Sequence, residues 1–301
     1  KMAEVANREN LDILHVHYAI PHAVCAILAK QMSKVDVKIV TTLHGTDITV
    51  LGYDPSLTEA IKIGIEKSDV VTAVSRSLIE QTHELIQPDK QIETVYNFID
   101  ERIYQKRDAN HLKKEFGIMD NEKVVIHVSN FRPVKRVQDV VKTFARISSA
   151  MPAKLLLVGD GPEMTPVCKL VKKLGLTDKV HLLGKQENLD ELYSISDLKL
   201  LLSEKESFGL VALEAMACGV PCIGTNVGGM PEVIQHGETG YICQLGDIED
   251  ISTKAIKVLS DHHLHQQFAA NGVNVVNTKF RAEQIVGQYE QLYLKLLNKG
   301  D

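Results

Sequence analysis

No stretch of these 301 residues is rich in lysine and arginine, and the formal net charge is −5. A nucleic-acid surface needs concentrated positive charge, so that class of partner is excluded. No apolar run approaches the roughly 20 residues that cross a bilayer, so no membrane association is expected. The opening residues lack the charged-then-apolar layout of a signal peptide, and a cytoplasmic location is the expectation. Cysteine is sparse and odd in number: five, at positions 25, 168, 218, 222 and 243. Each lies in or beside apolar sequence, which predicts reduced, buried thiols rather than a disulfide framework. Cys218 and Cys222 stand four apart, but no second Cys/His pair has zinc spacing. His15, His17 and His22 lie close together, yet no carboxylate or cysteine of suitable spacing joins them, and no metal site is expected.

What is present is an alternation. The chain is 44% hydrophobic, enough for a sizeable core, and its length implies about two domains. Short apolar runs read as strands: "DILHVHY", "VKIVTTLHG", "DVVTAVS" and "IETVYN", then "KVVIHVSN", "KLLLVGDG", "KVHLLG", "LKLLLS", "VPCIGT" and "GYICQ". Helical patterns separate them, among them "VQDVVKTFARISSA" and "MTPVCKLVKKLG", the second stopping at Gly175. Continuously apolar strands between helices predict parallel sheets in an α/β protein. A polar segment, 100–122, interrupts the rhythm and reads as the passage into a second domain. The expected division is therefore 1–106, 107–280, and a long amphipathic helix over 281–301 that packs back on the first domain. The first domain opens on a helix and offers four strands, whereas an open parallel sheet usually begins with a strand and a glycine-rich turn. An N-terminal piece is expected to be missing.

The stretch "ESFGLVALEAMACGVPCIGTNVGGMPEVI" (206–234) concentrates the chemistry. "LKLLLS" ends a strand, "EKESFG" is a strand-to-helix loop, and "LVALEAMAC" is the helix that follows, stopped by Gly219. Ligands of open α/β sheets bind where strands end and helices begin, and free N–H groups there attract phosphate. Gly209 allows close approach of backbone to a ligand. Glu206 projects from the loop, and Glu214 lies about one and a half turns into the helix. The pair can address two parts of one elongated ligand. A helix N-terminus favours their charged forms, which argues against a general acid and for carboxylates that hold hydroxyl groups. The plainer alternative is two solvated acids near a helix start.

Glu206, Glu214 and the glycines between and after them resemble the E-x7-E signature of retaining family-4 glycosyltransferases. "LHGTD" (43–47), "VSRSL" (74–78), "YNFID" (96–100), "VGDGPE" (158–163) and "NVGGMPEVI…GETGY" resemble further landmarks of that family in order. The resemblance implies a GT-B fold: two Rossmann-like domains facing across a cleft, the nucleotide-sugar donor held mainly by the C-terminal one, the N-terminal one here lacking its first strand and turn. It implies an enzyme, a hexosyltransferase, with these roles. Glu206 contacts donor-sugar hydroxyls, and His44 reaches the sugar from the first domain; these two are the catalytic candidates. Glu214 holds the ribose. The backbone of Phe208, Gly209 and Leu210 meets the diphosphate. The family's "GR-x4-K-G" phosphate loop corresponds to "SNFRPVKR", where Lys135 matches the lysine, Asn130 stands at the usual arginine, and Arg132 lies two residues later. Arg132 is the expected substitute, since a guanidinium forks onto phosphate oxygens. No Asp-x-Asp occurs, so leaving-group charge is assigned to Lys135, Arg132 and the helix start, with no metal.

Residues 15–30, 41–56 and 128–140 narrow the resemblance to family members that move N-acetylglucosamine from UDP-GlcNAc to the hydroxyl of L-malate, the first step of bacillithiol biosynthesis. UDP-GlcNAc is then the donor, and no cofactor is required. A malate pocket needs groups for two carboxylates. Arg76 is the expected clamp, with Tyr18 and Thr46 at strand ends as partners. Asn97 resembles the asparagine of a family "NG-D" element, although Phe98 replaces its glycine. Two alternatives stay open: a transferase of the same fold with another acceptor, and a catalytically weak nucleotide-sugar-binding fragment. A homo-oligomer also stays open.

Overall fold

Among the described residues, 1–298, the apolar runs become ten strands in a computed structural model of the chain. Each is parallel to its neighbours. Strands β1 (Ile13–His17), β2 (Lys38–Leu43), β3 (Val70–Ala73) and β4 (Ile92–Thr94) form one sheet in that order. Strands β5 (Lys123–Val128), β6 (Ala153–Val158), β7 (Val180–Gly184), β8 (Leu198–Leu201), β9 (Cys222–Thr225) and β10 (Gly240–Cys243) form a second, in the order β10-β9-β8-β5-β6-β7. The α/β expectation holds for both sheets. Two compact units result, Lys1–Asn97 joined by the chain from Glu283 onward, and Phe98–Ala282, so residues 98–106 group with the second unit.

The order of the second sheet places its site. From β5 the chain builds outward through β6 and β7, then returns to lay β8 on the other side of β5. The loops after β5 and β8 therefore diverge from adjacent strand ends, which opens a crevice at the carboxyl edge. Helix Val137–Ala150 covers this sheet, with Val137, Val140, Val141, Phe144 and Ile147 all buried. Their spacing puts them on one helical face. Each large apolar side chain so buried contributes roughly 1.5–3 kcal/mol. The glycine stops are as read: Gly175 has φ 67° after helix Met164–Lys173, and Gly219 has φ 75° after helix Leu210–Ala217.

In the first unit, helix Ala282–Asn298 buries Ile285 and Leu292. Its Tyr293 hydroxyl lies 2.6 Å from His15 Nδ1, and its Tyr289 hydroxyl 3.3 Å from Thr42 Oγ1. The cysteine expectation needs one correction. Cys218, Cys222 and Cys243 are buried and Cys168 is half-buried, but Cys25 is exposed. Helix Val24–Met32 turns Ala26 and Ala29 inward, and that phase carries Cys25 to the outer face. Among the described residues no helix is long and apolar enough to cross a membrane.

Candidate functional site

The loop after β5 passes through a short turn, Pro133–Lys135, and brings Lys135 back over the strand ends. The loop after β8 carries Glu206. Lys135 Nζ donates to Glu206 Oε2 at 2.6 Å, across 71 residues of sequence, and Ser203 Oγ lies 3.4 Å from the same oxygen. The two charged side chains are only 20% and 15% exposed, so water screens the pair less than it would a surface ion pair. A cavity of about 410 Å³ opens beside them, lined by Ser129, Asn130, Lys135, Asp160, Glu206 and Leu210 among others.

Glycine is needed here for its conformation at Gly209 and for close backbone approach at Gly228. Gly209 sits at φ 99°, and a Cβ on it would come 2.8 Å from Met230 Sδ. A Cβ on Gly228 would lie 1.8 Å from the Glu206 carbonyl oxygen, so the Gly-rich turn is what lets the loop carrying Glu206 close down on its neighbour. Gly229 N–H donates to that carbonyl at 3.1 Å, fixing the loop through its main chain. Helix Leu210–Ala217 starts at Gly209 with no side-chain cap. Its first N–H groups and the positive end of its dipole sit at the cavity, where Leu210 lines the wall. Phe208 is buried and spends its side chain on Phe280, ring centroids 5.7 Å apart.

The cavity wall takes in some of the expected donor residues and not others. Arg132 is exposed and does not line this cavity, whereas Lys135 and Asn130 do. Glu214 is 7% exposed and also off the cavity wall. Its Oε2 accepts from the Tyr193 hydroxyl at 3.1 Å, and Tyr104 bonds it as well. Burial raises its carboxyl pKa, opposed by nearby Lys199 and by the two phenols. Lys199, Tyr193 and Tyr104 were not singled out in the sequence. In "LKLLLS" a lysine among leucines is the one signal that could have found Lys199.

In the first unit the strand ends again gather the candidates. His44 follows β2, and its Nε2 lies 2.8 Å from His17 Nδ1 at the end of β1. Burial, then the neighbouring His17, lowers His44 to about 4; burial likewise lowers His15 to about 4, so both rings are neutral at pH 7. Tyr18 follows β1, its ring centroid 5.2 Å from that of His44. Thr46 is exposed in the loop after β2, and Asn97 is half-buried after β4. Arg76 opens helix Arg76–Leu85, as expected, behind the Ser75 cap whose Oγ accepts from Leu78 N–H at 3.1 Å. Asp47, quoted within "LHGTD" but given no role, is the residue that organises these loops. It is 1% exposed, and its carboxylate accepts from Ala19 N–H at 2.9 Å and Gly45 N–H at 3.0 Å. It thereby ties the loop after β1 to the loop after β2. Among the described residues no group of three or more His, Cys, Asp or Glu is placed to hold a metal ion.

A family model described as "Glycosyl transferases group 1" matches residues 108–275, and one described as "Glycosyltransferase Family 4" matches residues 1–102. The chain is 65% identical over 297 residues to N-acetyl-alpha-D-glucosaminyl L-malate synthase of Bacillus anthracis, covering 99% of this chain and 78% of that one. Among solved structures, a sucrose-phosphate synthase from Thermosynechococcus elongatus aligns with TM-score 0.87 at 23% identity, over 98% of this chain and 76% of that one. Anabaena HepE in complex with UDP and glucose aligns with TM-score 0.85 at 22% identity, over 98% of this chain and 81% of that one. At such identities the two structures speak to the fold.

Proposed function

The chain belongs to the group 1 glycosyl transferases, and from that membership we propose that it moves N-acetylglucosamine from UDP-GlcNAc to the hydroxyl of L-malate, with retention at the anomeric carbon, as the first step of bacillithiol biosynthesis. The observation that carries the donor half is the Lys135–Glu206 pair beside the uncapped start of helix Leu210–Ala217. It offers a cation and free N–H groups to phosphates, and a carboxylate to sugar hydroxyls, within one crevice. The acceptor half is supported by the likeness to the Bacillus anthracis synthase.

In this reading Glu206 holds the sugar and Glu214 holds the ribose diol, and His44 is the catalytic candidate of the first unit. Lys135, Asn130, Arg132 and the backbone of Phe208, Gly209 and Leu210 take the diphosphate. Arg76, with Tyr18, Thr46 and Asn97, takes the malate carboxylates and hydroxyl. The bond from C1 to the β-phosphate oxygen breaks as the malate hydroxyl oxygen bonds to C1. The hydroxyl proton passes to the departing phosphate, and UDP leaves. Negative charge grows on that phosphate, so the preorganised cation and N–H groups stabilise the transition state more than the ground state.

Mass spectrometry of a reaction with UDP-GlcNAc and L-malate tests the proposal. A GlcNAc–malate adduct formed one-for-one with UDP is expected. UDP release without the adduct, or an adduct only with other acceptors, overturns the acceptor half. Arg76→Ala is expected to raise the malate KM about 10- to 100-fold, the loss of charge-assisted hydrogen bonds, with little change in the UDP-GlcNAc KM. Equal effects on both would remove Arg76 from the acceptor site. Turnover is expected to persist in EDTA; a loss restored by Mg²⁺ would mean that the leaving group needs a metal.

A further inference from the structure

Lys199 lies within β8, flanked by Leu198, Leu200 and Leu201, and is 0% exposed. Lysine is almost never fully buried unless paired, and an apolar residue of the same size would cost the fold less. A position that breaks its local pattern in this way points to function rather than to stability. Its Nζ lies 3.5 Å from the Tyr193 hydroxyl and 5.0 Å from that ring's centroid. The same hydroxyl donates to Glu214 Oε2 at 3.1 Å. Ammonium, phenol and carboxylate thus form a chain in which each donor polarises the next, inside a low-dielectric interior where such chains strengthen.

We propose that Lys199 is a positioning residue for donor binding, whose buried ammonium, acting through Tyr193, holds Glu214 as a fixed carboxylate ready to accept the ribose diol. The inference rests on the ribose role given to Glu214 above. A buried carboxylate left alone takes up a proton, and a neutral carboxyl is a weaker acceptor for hydroxyl groups. The other cations near the chain are engaged elsewhere: Lys106 Nζ donates to the Ser194 carbonyl at 2.8 Å, and Arg107 pairs with Asp190. Facing Lys199 are Cys222 from β9, His127 from β5, and the Lys135–Glu206 pair from the two loops. Burial raises the Cys222 thiol to about 12 and lowers His127 to about 3, so both are neutral at pH 7, and Lys135 is held by Glu206. Facing Glu214 are Tyr104 and Cys218, each raised to about 12 by burial and so also neutral. Burial lowers Lys199 itself to about 8, which leaves it charged at neutrality.

The signs are fixed by these facts. Burial pushes the Glu214 carboxyl up and Lys199 pulls it down. Without Lys199 the carboxyl protonates at higher pH, so donor binding fails earlier as pH falls. For the fold two effects oppose. The folded chain binds the Lys199 proton less tightly than the unfolded chain, which costs stability, but the same ammonium offsets the burial of the Glu214 carboxylate, which removing it would expose as a cost at neutral pH.

Lys199→Met, assayed from about pH 5.5 to about pH 8.5, tests this. The UDP-GlcNAc KM is expected to rise about tenfold near the acid end, and the acid limb of kcat/KM to move to higher pH. The malate KM is expected to hold. In a Glu214→Gln background Lys199→Met is expected to add nothing, since the group it acts through is no longer ionisable. Full additivity there, or an unmoved acid limb, overturns the proposal. Should Glu214→Gln alone leave the donor KM unchanged, it is the ribose reading that falls instead. Should Lys199→Met fail to fold, Tyr193→Phe cuts the same chain at its middle, and UDP binding by calorimetry across pH is expected to show the same shift; no shift overturns the proposal.

Discussion

Replacing Lys135 by methionine is expected to lower kcat about 10²- to 10³-fold, with a much smaller change in the UDP-GlcNAc KM. The methylene stem and its packing are kept, and only the charge is lost. Removing one preorganised group that meets developing negative charge costs about this much in other acyl- and phosphate-handling sites. The split between kcat and KM matters. The diphosphate is already anionic in the ground state, but the charge on the bridging oxygen grows as the C1–O bond breaks, so the lysine is worth most at the transition state. Glu206 would be left 15% exposed with its ammonium partner gone, which adds a modest loss of stability but leaves its loop in place. Steady-state kinetics with a thermal melt reads both. A variant that loses affinity for donor and keeps kcat would move Lys135 from leaving-group stabilisation to plain binding.

Glu206→Ala is expected to lower kcat/KM for UDP-GlcNAc by about two to four orders of magnitude while the fold survives. A carboxylate that accepts from sugar hydroxyls contributes about 1.5–3 kcal/mol per bond, and two such bonds on one sugar account for the expected loss. Survival of the fold follows from where the loop is held. Its anchor is the Glu206 carbonyl, which accepts from Gly229 N–H at 3.1 Å, and alanine keeps that carbonyl. Near-normal turnover in a folded Glu206→Ala protein would take this residue out of the donor site. Ser203, whose Oγ lies 3.4 Å from the Glu206 carboxylate, is too short to take over its reach.

Much of the fold was legible because its signals are local. Ten apolar runs read as strands all became strands, and helix Val137–Ala150 spans the residues whose spacing announced it. Burial demands such patterns within a few residues, so they show in the order of the chain. The E-x7-E stretch was legible for the same reason: strand, loop, glycine and helix follow one another directly. Lys135 and Asn130 line the cavity and Arg132 does not, because the turn Pro133–Lys135 sends one cation inward and leaves the other in solvent. Cys25 was misjudged because apolar neighbours in sequence do not say which face of a helix a residue takes.

By itself the sequence determined the kinds of elements, their order, and the residue types that a nucleotide-sugar chemistry requires. Tertiary structure alone decided that Lys135 meets Glu206, that Asp47 ties two loops together, and that Lys199 stands behind Glu214. The reason is one of distance along the chain. Periodicity reports on neighbours a turn or a strand away. The return of β8 to the flank of β5 joins loops 71 residues apart, and no local pattern encodes which strands become neighbours.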